Sequence, residues 1–276
     1  MVILHILAGG NRREMNKQII WIYALCYNES HFVGNFLTAY KDAAKIVIYD
    51  NESTDNSVEL LKQDPRVEIR SFCTNKEFRD DIHILIKNNC WKEARGKADW
   101  VIVVDFDEIF TRMSGTHDNP LFDLDLSVPY TNGFNIIKPI GYNMISFDAP
   151  LYTKDHPFVH SKQGTYHTPE NKMVCFRPDC ISEMNYAPGC HDAFPLDMNG
   201  SLEGIRVFIR EEFKLLHFSA WNIDVSMKRF EGYQKRLSQI NKDNGWGFQY
   251  LLPLEEQRNM YLAGMNLRKY ILDIKI

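Results

Sequence analysis

The sequence predicts an α/β fold in which a parallel, nucleotide-binding type of sheet with helices on both faces is followed by a mixed α+β C-terminal half. Short apolar runs alternate with helical segments up to about residue 110, three of the first four runs end in carboxylate-bearing turns, and beyond that point the alternation gives way to mixed strands and loops. At 276 residues and 45% hydrophobic, the chain is large enough to bury a sizeable core.

Residues 19–26 (IIWIYALC) read as the first buried strand, and Tyr27-Asn28-Glu29-Ser30 opens a helix with Phe32, Val33, Phe36 and Leu37 at helical spacing. Residues 45–49 are the second strand, which ends at Asp50; NESTDNS then leads into a helix around residues 58–61, and 67–70 are the third strand. Asp80 or Asp81 can cap a helix that runs to about Arg95, with Gly96 as its stop. Residues 100–104 (WVIVV) are the fourth strand and empty into Asp105-Phe106-Asp107-Glu108. Further on, 134–140 and 173–177 read as strands among frequent Pro and Gly, and 226–240 as a helix with Met227, Phe230, Tyr233 and Leu237 on one face. No repeat or low-complexity linker marks a domain boundary, so residues 19–110 and 111–276 are expected to be two halves of one domain. Residues 1–18 form an N-terminal extension or an added edge strand, with a second methionine at Met15.

In a parallel sheet, ligands sit beyond the carboxyl ends of the strands, so the acidic turns are expected to share one rim. Asp105 and Asp107 are two residues apart; if extended geometry persists, both side chains point the same way and can hold Mn²⁺ or Mg²⁺ directly or through water. Such acids also serve as helix caps or solvated turn residues, and their company favours the ligand site. Asp50, followed by Asn51, Ser53 and Asp55, stands where acids commonly meet the hydroxyls or ring N–H groups of a nucleotide, although an Asx turn accounts for Asp55 and Asn56.

The blocks ALCYNESHFVGNFL, VIYDNESTDNSVELL and DWVIVVDFDEIF, in this order and spacing, resemble the family 2 type of glycosyltransferases with the GT-A fold. LIKNNCWKEARGKADW resembles a subgroup similar to family 92 enzymes. The resemblance implies a GT-A type Rossmann-like sheet and the transfer of a sugar from a nucleotide-diphosphate donor, a UDP-sugar favoured, to a glycan, lipid-linked or protein acceptor. It implies Tyr27 and Glu29 beside the base and Asp50 and Asn51 on the uracil-like or ribose part. Asn89, with Asn88 and Lys92, would face the nucleotide, and Asp105 and Asp107 would form a DxD metal site for Mn²⁺ or Mg²⁺, Asp105 also lying against the nucleotide. Residues 19–110 would then bind the nucleotide-sugar and 111–276 the acceptor.

Looser matches at KMVCFRP, PGCHDAF and KLLHFSAW make His217 the first candidate to complete the metal shell and His191 the second, a structural histidine being the alternative for each. Family precedent leans towards inversion, which needs a base. Asp192 is assigned that role, with the neighbouring His191 imidazole as the catalytic group that can tune it, and Glu183 and Glu108 are alternatives. Lys172, Lys228 and Arg229 can bind phosphate oxygens or simply be solvated, and Trp221 and Trp246 can stack on a sugar or fill the core.

A net charge of −4 lacks the basic excess that gripping nucleic acid requires. The six cysteines form no CxxC pair and read as reduced thiols, which points to the cytoplasm; Cys175, Cys180 and Cys190 near His191 are spaced too loosely for a structural zinc site. No apolar run approaches the roughly 20 residues of a bilayer span, which leaves peripheral membrane association open, and residues 2–8 lack the marks of a signal peptide. LAGGNRR (7–13) faintly resembles the phosphate loop of sugar-nucleotide nucleotidyltransferases, but Asn11, Arg12 and Arg13 stand where a further glycine is needed. A sugar-nucleotide or glycan-binding module without turnover is the other alternative, and the intact Asp105 and Asp107 pair counts against it.

Overall fold

The computed structural model describes residues 18–116 and 120–274; the segment 7–13 and the expected extension or edge strand before residue 18 lie outside the described residues. The first half forms β1 (Ile20–Cys26), α1 (Val33–Ala39), β2 (Lys45–Asp50), α2 (Ser57–Leu61), β3 (Val67–Ser71), α3 (Asp80–Asn89) and β4 (Trp100–Asp105). Its strands are parallel in the order β3-β2-β1-β4. The strands are apolar on both faces because both are covered. Ile22, Ala24, Ile46, Ile48, Ile102 and Val104 pack with Phe32, Val33 and Phe36 around α1 and with Leu61 of α2. Tyr23, Val47, Val101 and Val103 pack on the other side with Ile84 and Ile86 of α3 and with Trp91 and Ala94 beyond it.

The second half supplies β5 (Glu108–Gly115), β6 (Pro120–Asp123), α4 (Ser127–Thr131), β7 (Ile136–Ile137), β8 (Ile140–Ile145), β9 (Gln163–Tyr166), β10 (Cys175–Phe176), β11 (Ile181–Glu183), β12 (Leu196–Asp197), β13 (Val207–Phe208) and β14 (Phe213–Ala220). The chain closes with α5 (Ile223–Arg236), α6 (Gln239–Asp243), α7 (Leu254–Leu267) and β15 (Lys269–Tyr270). β10, antiparallel to β4, extends the first sheet through β7 to β13, while a second sheet runs β15-β9-β8-β14-β5-β6. The chain winds from β1 outward to β3 and then returns to β4 on the other side of β1, so the strand order reverses beside β1. In register, Cys26 faces Asp50 and Leu25 faces Asp105, which puts both acids on one rim.

Several boundaries differ from the sequence expectation for local reasons. Asp80 does not cap α3: Arg79 is the N-cap, and the Asp80 carboxylate accepts from Asn241 Nδ2 at 2.9 Å. The helix tightens to a 3₁₀ turn over Cys90–Ala94, and Gly96 stops it at a φ of +69°. The run 134–140 splits at Pro139, which has no N–H to give a sheet. Only Cys175–Phe176 of 173–177 is strand. The helix expected at 226–240 ends at Arg236, because Leu237 leaves it to bridge Phe78 and Ser238 caps α6 through Asn241 N–H at 3.2 Å. All six cysteines are free, and among the described residues no helix is long and apolar enough to cross a membrane.

His156 ties the region between β8 and β9 to β6. Its ring is 9% exposed, lies flat on Phe122 with centroids 3.8 Å apart, and accepts the Phe158 N–H on Nδ1. Burial, aided by Lys41, pushes its pKa down to about 3. The unfolded chain therefore takes up a proton near pH 6.5 that the folded chain refuses. The stability from this group is complete above that pH and is lost as pH falls towards 3, at about 1.4 kcal/mol per unit. Urea melts at about pH 7 and pH 5 should show His156→Phe losing roughly 2 kcal/mol less than the native chain. Parallel losses in the two proteins would assign the acid sensitivity elsewhere.

Candidate functional site

The loops after β1 and β2 are stitched together before either meets a ligand. Asn28 takes a φ of +56°, which asparagine tolerates, and its Oδ1 accepts the Thr54 N–H at 2.7 Å. The Asn28, Glu29 and Ser30 N–H groups donate to Ser53 Oγ, Ser57 Oγ and Asp55 Oδ2 at 2.9, 2.8 and 3.0 Å. Ser53, Asp55 and Ser57 thus build the loop. Asp50, 3% exposed, accepts the Ser53 N–H on Oδ2 at 3.1 Å, as an Asx turn would, but its Oδ1 is buried with no hydrogen-bond partner among the described residues. Asn51 is turned away to exchange hydrogen bonds with Thr74, tying this rim to the segment before α3. The Tyr27 ring is covered by the Arg236 guanidinium, 3.3 Å from its centroid.

The acidic pair departs from the sequence expectation. Extended geometry ends at Asp105, and residues 106–107 form a turn, so the two carboxylates do not share one partner. Phe106 in this turn is buried and stacked on Phe36 at 4.3 Å. The Asp105 side chain is 38% exposed and pairs with Lys87 Nζ at 2.7 Å. The Asp107 side chain is 5% exposed; Arg229 Nη2 at 2.9 Å and His217 Nε2 at 3.2 Å lie at ion-pair distance from Oδ2, yet neither is aligned to donate to it. Arg229 also reaches Glu29 at 3.2 Å, clamping the β1 loop to the β4 loop. Burial drives the Glu29 pKa up despite that arginine. His217 is delivered by β14, where it pairs in register with Glu108 of β5 and Asn143 of β8. Burial opposes its charge, but Glu170, 3.2 Å from Nδ1, and Asp107 outweigh burial and hold the imidazolium.

The remaining expected residues fall around this centre or outside it. His191 and Asp192 are exposed; His191 Nδ1 is 2.9 Å from Pro169 O, beside Glu170, and the Asp192 carboxylate has no partner among the described residues. Asn89 is on the exposed side of α3, donating to Leu85 O and accepting from Lys92, and so does not reach the acidic rim. Asn88 accepts the Tyr186 N–H and Lys92 pairs with Glu183 at 2.7 Å, so both tie the two halves together. Trp221 is buried against Phe32 and belongs to the core.

Sequence reasoning missed Lys87, Glu170 and the stack of Arg236 on Tyr27. Lys87 was legible, because Asp80 and Lys87 recur two turns apart on the inward face of α3 and both are buried. Glu170 left no such signal; a 3₁₀ turn over Thr168–Glu170 crosses β8 at Gly141, where a Cβ would lie 2.3 Å from the Glu170 carbonyl carbon.

No family model and no curated protein matches the chain. Among solved structures it is similar to glucosyl-3-phosphoglycerate synthase from Mycobacterium tuberculosis. The complex with Mn²⁺, UDP and glucosyl-3-phosphoglycerate aligns at 13% identity and a TM-score of 0.27, over 45% of this chain and 44% of that one. The complexes with Mg²⁺ and UDP, and with Mn²⁺ and UDP-glucose, align at 14% identity and 0.28 over the same shares. The alignments thus span less than half the length of the synthase.

Proposed function

We propose that this chain is a GT-A type glycosyltransferase that moves a sugar from a nucleoside diphosphate, UDP favoured, to a hydroxyl acceptor. Asp50 Oδ1 carries the reading: a buried carboxylate oxygen without a donor is costly, and a uracil N–H or ribose hydroxyl would satisfy it. Its position at the carboxyl edge of β2, beside the point where the strand order reverses, is where such ligands bind. Tyr27 and Glu29 border the same end.

Asp105, Asp107 and His217 Nε2 suit Mn²⁺ or Mg²⁺ by donor chemistry, and Asp107 Oδ2 has no hydrogen bond among the described residues; to hold the ion, Asp105 would turn from Lys87 and Asp107 from Arg229. When bound, the cation would neutralise charge on the leaving diphosphate. His217 would release its Nε2 proton on ligation, so metal affinity should rise with pH. Arg229, held by Glu29, Asp107 and Tyr233 beside the acidic rim, would meet phosphate oxygens of the donor. Among the three carboxylates considered as base for an inverting displacement, Glu108 is buried on Lys172 and Glu183 is paired with Lys92, whereas Asp192 is exposed, so Asp192 takes the role.

Asp50→Ala should raise the UDP dissociation constant about tenfold or more in calorimetry with Mn²⁺, the loss of a hydrogen bond to a charged group. Turnover at saturating donor should change far less, because the contact is made equally in ground and transition states. An unchanged UDP affinity would remove Asp50, and with it the main support for this function.

A further inference from the structure

Glu108, Glu170 and His217 present ligand atoms that all lie within 4.8 Å of one another, which by itself resembles a second metal site. The space is taken by a lysine. Lys172, 3% exposed, hydrogen-bonds Glu108, lies 3.0 Å from Glu170 Oε2 and comes within 4.0 Å of Asp105 Oδ2. Both carboxylates it holds are as buried as it is, Glu108 at 0% and Glu170 at 2%. An ammonium in that position repels a second cation, so the cluster is filled by the chain itself.

Each of the two carboxylates leads to one member of the acidic pair. Glu108 Oε2 accepts the Asp105 N–H at 3.0 Å. Glu170 Oε1 faces His217 Nδ1 at 3.2 Å, beside Asn143 Oδ1 at 3.1 Å, and His217 Nε2 faces Asp107 Oδ2 at 3.2 Å. We propose that Lys172 is a positioning residue: an internal counter-cation that, through Glu108 and Glu170, sets the Asp105-Phe106-Asp107 turn and aims His217 at it. Burying three charges is expensive and adds little stability over a well-packed apolar cluster. Its effect here is placement, since one ammonium fixes the backbone under Asp105 and the imidazole beside Asp107 together. Lys172 itself is placed by the close crossing of residues 168–172 over Gly141, whose N–H donates to Asn171 Oδ1 at 2.7 Å. The consequence for a metal-bound donor rests on the glycosyltransferase reading, whereas the positioning of the turn does not.

The test uses the full chain with Lys172→Met and with the charge-balanced Lys172→Met/Glu108→Gln. The double variant removes one charge of each sign and nearly keeps the volume, so it is expected to fold where the single variant does not. Hydrogen–deuterium exchange should show the amides of residues 105–108 exchanging about tenfold faster or more, while β1 to β3 keep native protection. Mn²⁺-dependent UDP binding, measured by calorimetry, should weaken about 10- to 100-fold, the usual effect of losing a group that orients metal ligands. Native protection at Asp105 in the folded double variant, or unchanged Mn²⁺ and UDP affinities, overturns the proposal. If the native protein itself binds no UDP with Mn²⁺, the glycosyltransferase reading fails, and the exchange result alone decides the role of Lys172.

Discussion

Asp107→Asn is expected to lower the Mn²⁺-dependent release of UDP from a UDP-sugar by about 10²- to 10³-fold, the scale on which transition-state charge stabilisation is lost. The change removes charge and preserves shape at a buried point of the site. Arg229 and His217 both converge on the Asp107 carboxylate, so the variant leaves two buried cations with less to face. Breaking a buried pair in this way costs about 3–5 kcal/mol, within the margin of an ordinary domain, so the variant should melt earlier but still fold. Circular dichroism with a urea melt, run beside the UDP-release assay, separates the two effects. A folded variant with native turnover would take Asp107 out of the chemistry.

A large loss of stability is expected from a residue with no chemistry of its own. Phe106→Ala deletes the ring between the two acids, which is 2% exposed and lies 4.3 Å from Phe36 at an interplanar angle of 11°. A cavity of that kind costs about 3–5 kcal/mol. Because the ring also anchors the turn that carries both acids, UDP release should fall as well, by roughly tenfold or more even at temperatures where the variant is fully folded. Denaturation midpoints and turnover measured on one preparation check both halves of this expectation. A loss of stability with native turnover would mean that the turn is held from the Lys172 side alone.

The first half was legible because its signals are local. Apolar runs of strand length, interrupted by polar turns and helical spacing, dictate β1 to β4 without reference to the rest of the chain, and residues 19–26, 45–49, 67–70 and 100–104 match them to within a residue or two at each end. The acidic ends of β2 and β4 were likewise legible, because a parallel sheet presents its strand ends on one rim. The second half was less so. Two-residue strands such as β7, β10 and β13 have no periodicity to read and exist only because β4 offers an edge to pair with. Leu237 reads as one more member of an apolar helical stripe, and only its pairing with Phe78 ends α5 there.

The sequence by itself determined the α/β class and the rim that carries Asp50, Asp105 and Asp107, because those follow from hydrophobic period and strand ends, whereas His217, read as the end of an apolar run, lies inside β14. Only the tertiary structure decided which charges meet. Lys87 and Asp105, Arg229 with Glu29 and Asp107, and Lys172 with Glu108 and Glu170 come from separate stretches of chain, and Lys172 pairs with a glutamate 64 residues away. Charged side chains have no period that announces a partner, and a buried ion pair forms only where packing removes the water that would otherwise solvate each member.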